Sequence, residues 1–119
     1  AGMTSVYAVD CVVESPLAGG TVQGRQTLTK LSQTLFDAFP DLTFTVEDLV
    51  IDGLRVAISG VLEGTYSGGF MGLAPSGNRV RVPLVMVSHV RDGAIVRERR
   101  VYDLTGMLVQ AGVLKARSA

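Results

Sequence analysis

Two titratable side chains near the end of the chain have types and positions suited to chemistry. His89, the sole histidine, lies in RVRVPLVMVSHV (79–90), and Asp103 closes the run AIVRERRVYD (94–103). A carboxylate and an imidazole on neighbouring strands can move a proton at neutral pH. In a dry hollow, burial would raise the carboxyl pKa toward the range useful for that transfer. So placed, Asp103 would serve as a general base and His89 or Tyr66 as a hydrogen-bond donor to the charge that develops. Each residue also has a plain structural use. Asp103 would equally cap the segment that follows, or pair with Arg81 or Arg99. His89 would sit hydrogen-bonded on a partly wet strand, and Tyr66 would pack as strand aromatics do. Arg97 and Arg99 read as solvated charges, with Arg99 the better placed to bind a carboxylate or enolate. Glu14 reads as a second acid near a pocket mouth. Phe70 and Met71 read as a lid or a contact between copies. Gly68, Gly69 and Gly72 satisfy loop geometry, because SGGFMG lacks the strand and helix context of a phosphate cradle.

The turn at 91–94 decides whether His89 and Asp103 can cooperate. With Asp92-Gly93 as a two-residue loop, His89 pairs with Val96 and the two groups face opposite sides. With Arg91-Asp92-Gly93 as a three-residue loop, His89 pairs with Ile95, Asp103 pairs with Arg81, and both groups share a face. The second register is favoured, since only Gly93 then needs a positive φ. One face would carry Val85, Val87, His89, Ile95, Arg97, Arg99, Val101 and Asp103. The other would carry Leu84, Met86, Ser88, Val90, Val96, Glu98, Arg100 and Tyr102.

The elements that must position these groups follow from periodicity. Leu28, Leu31, Leu35 and Phe39 recur at helical spacing over 25–39, and Pro40 stops that helix. LTFTVEDLVI (42–51) alternates as a strand, with Leu42, Phe44 and Val46 on one side. Strands are predicted over 55–66, 79–90 and 94–104, with Pro83 marking a bulge or an edge. ESPLAGGTVQG (14–24) reads as loop, Cys11–Val13 as the start of a strand, and Met3–Ala8 as the close of a helix. GMLVQAGVL (106–114) is a short helix or a final packing segment. One helix before several long strands implies an α+β domain. Glycine and proline in those strands suggest a bent sheet.

Composition sets the outer limits. The 119 residues fit one domain, 1–119, at 47% apolar and 18% charged, with eleven basic and eleven acidic residues. Zero net charge argues against long-range attraction to nucleic acid or an anionic membrane. No run approaches a membrane span and no signal peptide is visible, which fits a cytoplasmic protein. The single cysteine, Cys11, reads as a buried inert thiol, and a four-ligand zinc site lacks ligands.

Three blocks resemble the SnoaL-like polyketide cyclases of the nuclear-transport-factor-2-like superfamily. They are FPDLTFTVEDLVIDGLRVAISG (39–60), EGTYSGGFMGLAPSG (63–77) and IVRERRVYDLTGMLVQAGVL (95–114), and the likeness spans roughly 7–114. The resemblance implies a cone: a strongly curved, mixed or antiparallel sheet packed on helices around a deep apolar cavity. It implies intramolecular aldol closure of a polyketide-like substrate without metal or organic cofactor. Asp103 falls on the family's acid/base and His89 on its assisting histidine. Tyr66 stands where the family often has histidine, and so does Glu14. The family's long first helix is lacking here: either it lies ahead of Ala1, or something else covers that side of the sheet, for which a partner chain, as in a homodimer, would serve. The expected partner is therefore a small hydrophobic molecule, met by Asp103 and His89 as catalysts and by Tyr66, Arg99, Phe70 and Glu14 as contacts. The other readings are a non-catalytic binding or assembly domain, or an isomerase or epoxide hydrolase using the same pocket.

Overall fold

A computed structural model describes residues 6–115. The elements run β1 (Tyr7–Ser15), a single 3-10 turn (Pro16–Ala18), β2 (Gly20–Gln23), α1 (Arg25–Ala38), β3 (Thr43–Asp52), β4 (Arg55–Thr65), β5 (Arg79–Arg91), β6 (Ala94–Tyr102) and α2 (Leu104–Ala111). The six strands form one mixed sheet in the order β2-β1-β6-β5-β4-β3. All neighbours are antiparallel except β1 and β6, which run parallel.

The expected cone is corrected by this topology. The sheet is open, with β2 and β3 as its outermost strands and no pairing that joins them, and it is not strongly curved. The glycines and proline taken as bending signals have other uses. A Cβ on Gly60 would lie 1.9 Å from the Thr45 carbonyl oxygen, so this glycine admits close approach of β3. Pro83 pairs with Val61 without any register shift. It lies one residue beyond the last β5–β6 pair, Leu84 with Tyr102, where the ladder no longer needs its missing N–H. Real register shifts occur elsewhere: between Tyr7 and Val12, between Val46 and Asp48, and between His89 and Val90.

Strand alternation gives the sheet two unlike faces. The inner face presents Leu62, Val80, Val82 and Leu84 to a core completed by Phe39, Tyr66, Met107 and Ala111. A second cluster gathers Tyr7, Cys11, Val13 and Val22 around Leu28 of α1, which is fully buried. Burial pushes the Cys11 thiol up from its ordinary pKa, in keeping with an inert packing residue. The outer face leaves Val85 and Val101 exposed. No described helix is long and apolar enough to cross a membrane.

Candidate functional site

The hairpin turn departs from the favoured register. Asp92 and Gly93 both take positive φ, 51° and 77°, so the loop has two residues and Arg91 pairs with Ala94. A bulge follows, and His89 pairs with Arg97 instead of Ile95 or Val96. The three-residue loop assumed that Asp92 would avoid the left-handed region, which aspartate tolerates.

His89 therefore lies on the outer face, exposed, beside Arg97 on β6 and Arg55 on β4. Asp103 belongs to neither face. It follows the end of β6, is exposed, and caps α2 by accepting the Gly106 N–H at 2.8 Å. The anticipated juxtaposition of imidazole and carboxylate in one dry hollow is thus corrected by the position of both groups. The outer face does assemble other anticipated residues. Glu14 takes Arg99 Nε at 3.0 Å and Arg97 Nη2 at 3.7 Å, in a shallow hollow that His89 also lines. Tyr66 is buried in the core, 5.6 Å ring to ring from Phe39, and its hydroxyl donates to the Leu73 carbonyl at 2.8 Å. Phe70 is also buried in that core and forms a bridge with Leu73.

A different cavity lies between α1 and the inner face. It measures about 180 Å³. Leu31, Leu35 and Phe36 of α1 form one wall, because the helical period turns them toward the sheet. Phe44, Leu62, Leu84 and Met86 form the opposite wall, and Tyr102 joins them from β6. The polar lining comes from Ser32, Thr43, Ser15, Tyr7 and Arg100.

Two of these polar residues, Tyr7 and Arg100, belong to a buried network. Glu98 is only 2% exposed. Its Oε2 accepts the Tyr7 hydroxyl at 2.7 Å and Arg100 Nε at 2.8 Å, while its Oε1 accepts the Ser88 hydroxyl at 2.8 Å. Arg100 Nη2 also donates to the Tyr7 oxygen at 3.1 Å. No buried side-chain nitrogen or oxygen among the described residues lacks a partner. Such a fully satisfied network fixes its members in place. Burial would lower the Arg100 pKa, but the neighbouring Tyr7 and Glu98 outweigh it and hold the guanidinium above its ordinary value. The Tyr7 hydroxyl is pushed up to about 12, chiefly by burial and then by the Glu98 charge, with Arg100 partly opposing.

That shift has a signed consequence. The folded protein holds the Tyr7 proton more tightly than the unfolded chain, so the stabilisation is complete below pH 10 and is lost as pH rises through about 12. Chemical denaturation should show stability falling by roughly 2–3 kcal/mol across that window in excess of Tyr7→Phe. An identical alkaline slope in both proteins would contradict it.

Sequence reasoning placed Ser88, Glu98, Arg100 and Tyr102 on one face but gave them no part in the site, with Arg100 counted only in a local basic patch beside Arg97 and Arg99, and it missed Tyr7. The available signal was the arrangement of Ser88, Glu98 and Arg100 across adjacent strands on an otherwise apolar face. Buried polar groups persist only as mutually satisfied sets.

An open mixed sheet carrying helices, with a cavity between α1 and its inner face, is the α+β architecture of nuclear-transport-factor-2-like proteins. The chain belongs to the SnoaL-like polyketide cyclase family, whose model matches residues 1–111. Solved structures agree. A candidate SnoaL-like polyketide cyclase from Jannaschia sp. CCS1 is 25% identical with a TM-score of 0.83, over 92% of this chain and 76% of that one. AclR, a candidate hydroxylase from Streptomyces galilaeus, is 30% identical with a TM-score of 0.82, over 98% and 76%. IdmH, a candidate polyketide cyclase from Streptomyces antibioticus, is 34% identical with a TM-score of 0.77, over 92% and 84%. No curated protein matches the chain.

Proposed function

We propose that the chain takes up a small apolar carbonyl compound, ring-bearing or polyketide-like, in the cavity between α1 and the sheet. The observation that carries this reading is the cavity itself: apolar side chains of α1 on one wall and of β3, β4 and β5 on the other, with Arg100 and Tyr7 in its lining. Its volume of about 180 Å³ suits a small ring system. A dry cavity of ~150 Å³ is enough to bind benzene. Mostly apolar pockets with a few fixed polar groups are the usual form of small-molecule sites.

The matching chemistry is the family's, ring closure through an enolate. Arg100 is placed to hydrogen-bond a carbonyl oxygen and to stabilise the charge that develops there. A second reading, uptake without turnover, is favoured by one observation. Among the described residues lining the cavity there is no Asp, Glu or His to accept the proton.

Ser32→Phe, which fills the cavity from α1, should weaken uptake of 1-tetralone at least about tenfold by isothermal titration. Unchanged affinity would remove the site. Asp103→Asn should keep both fold and uptake, because asparagine caps a helix as aspartate does and the cavity lies elsewhere. Loss of turnover with uptake intact would assign Asp103 the proton transfer. Loss of uptake would contradict the placement of the site.

A further inference from the structure

The ion pair beside the cavity is oriented. Arg100 lines the cavity wall, whereas its partner Glu98 does not. The carboxylate is spent on three donors: Tyr7, Ser88 and Arg100 Nε. The guanidinium is not spent. Its Nε and Nη2 bond to Glu98 and Tyr7, and Nη1 makes no hydrogen bond among the described residues. Among the described residues Arg100 is also the only formally charged side chain in the cavity lining, which includes no Asp or Glu. The cavity therefore sees the positive end of a buried dipole, with N–H donors still free. Apolar walls lower the local dielectric and strengthen that field. The Tyr7 hydroxyl already donates to Glu98, so it leaves the contact to Arg100.

We infer that the molecule held here carries an ionised oxygen, seated on Arg100 Nη1 with its apolar body against Leu35, Phe44 and Met86. This rests on the cavity being the ligand site. A neutral ketone would satisfy one N–H. An ionised oxygen also meets the positive end of the Arg100–Glu98 pair, and charge-assisted bonds are about twice as strong as neutral ones. Two ligand types share this chemistry: a carboxylate, and an enol acidic enough to be ionised at neutral pH. Glu98 and Ser88 serve as positioning residues, holding the guanidinium without touching the ligand.

The test uses matched pairs in isothermal titration at neutral pH. 2-Naphthoate is set against 2-naphthamide, and 2-hydroxy-1,4-naphthoquinone against 2-methoxy-1,4-naphthoquinone. At least one ionised member should bind about tenfold or more tightly than its neutral partner. A preference confined to the first pair identifies a carboxylate, and one confined to the second an acidic enol. Arg100→Lys should keep part of the preference and Arg100→Gln should abolish it. Equal binding within both pairs would overturn the inference while leaving the cavity as the site. Binding by no member would overturn the site itself. A preference that survives Arg100→Gln would overturn the assignment to Arg100. Should Arg100→Gln fail to fold, the wild-type ratios and Arg100→Lys still decide.

Discussion

Replacing Glu98 by alanine should destabilise the protein by about 3–5 kcal/mol, the usual cost of removing one partner from a buried ion pair. The loss exceeds that of a surface bridge because Glu98 is 2% exposed and holds Arg100, Tyr7 and Ser88 together. Without it a guanidinium and two hydroxyls lose their acceptor in a place water reaches poorly. The double change Glu98→Leu with Arg100→Met should cost much less, since no charge is stranded. Urea denaturation with unchanged m-values would measure both. A cost below about 1 kcal/mol for Glu98→Ala would show that the network is wet. By contrast, Glu14→Ala, which removes the outer-face partner of Arg97 and Arg99, should cost under about 1 kcal/mol.

Gly68→Ala should be the most damaging change in the loop after β4. A Cβ there would lie 1.6 Å from the Asp37 carbonyl oxygen, and backbone cannot move aside as a side-chain tip can. The same glycine donates its N–H to Ala38 O at 3.1 Å, pinning the loop to the end of α1. Relief of the clash requires that this contact open. We expect a loss of roughly 1–3 kcal/mol or more, read as a lower denaturation midpoint. Gly72→Ala makes a useful comparison. Gly72 has open space around it but a φ of 81°, so only backbone strain opposes the change. A milder effect at Gly68 than at Gly72 would contradict the close-approach argument.

Much of the fold was legible where periodicity is strong. α1 and strands β3 to β6 fall within a residue or two of the spans expected from alternation and from Leu28, Leu31 and Leu35. The segment 14–24 was harder. Its glycines and Pro16 read as loop, yet Gly20–Gln23 pairs with β1, and β1 in turn lies parallel to β6. Short strands next to turns carry little periodicity, and long-range parallel pairing leaves no local trace. The expected helix over Met3–Ala8 is replaced by a turn at Val6 and strand at Tyr7 and Ala8, and residues 3–5 lie outside the described residues.

The candidate site was less legible, for a reason of parity. A sheet has two faces, and sequence alternation separates them without naming which one is covered. Alternation divides the residues from Val85 to Tyr102 nearly correctly, Ile95 excepted, and the histidine marks the uncovered face. The covered face is the one bearing Leu84, Met86, Glu98, Arg100 and Tyr102. Nothing in the sequence sets Arg100 apart from Arg97 and Arg99, which read as solvated, until Glu98 is known to be buried. The two-residue loop alone would set His89 and Asp103 on opposite faces; the bulge at Val96 restores their parity, but β6 ends at Tyr102 and Asp103 caps α2, so the two groups stay apart.

Methyl-resolved NMR titration with 2-naphthoate tests the central claim most directly. Binding between α1 and the inner face should shift the methyls of Leu31, Leu35, Leu84 and Met86, leaving Val85, Val87 and Val101 where they stand. Shifts confined to Val85 and Val87, on the side where His89 and Arg97 lie, would contradict the account.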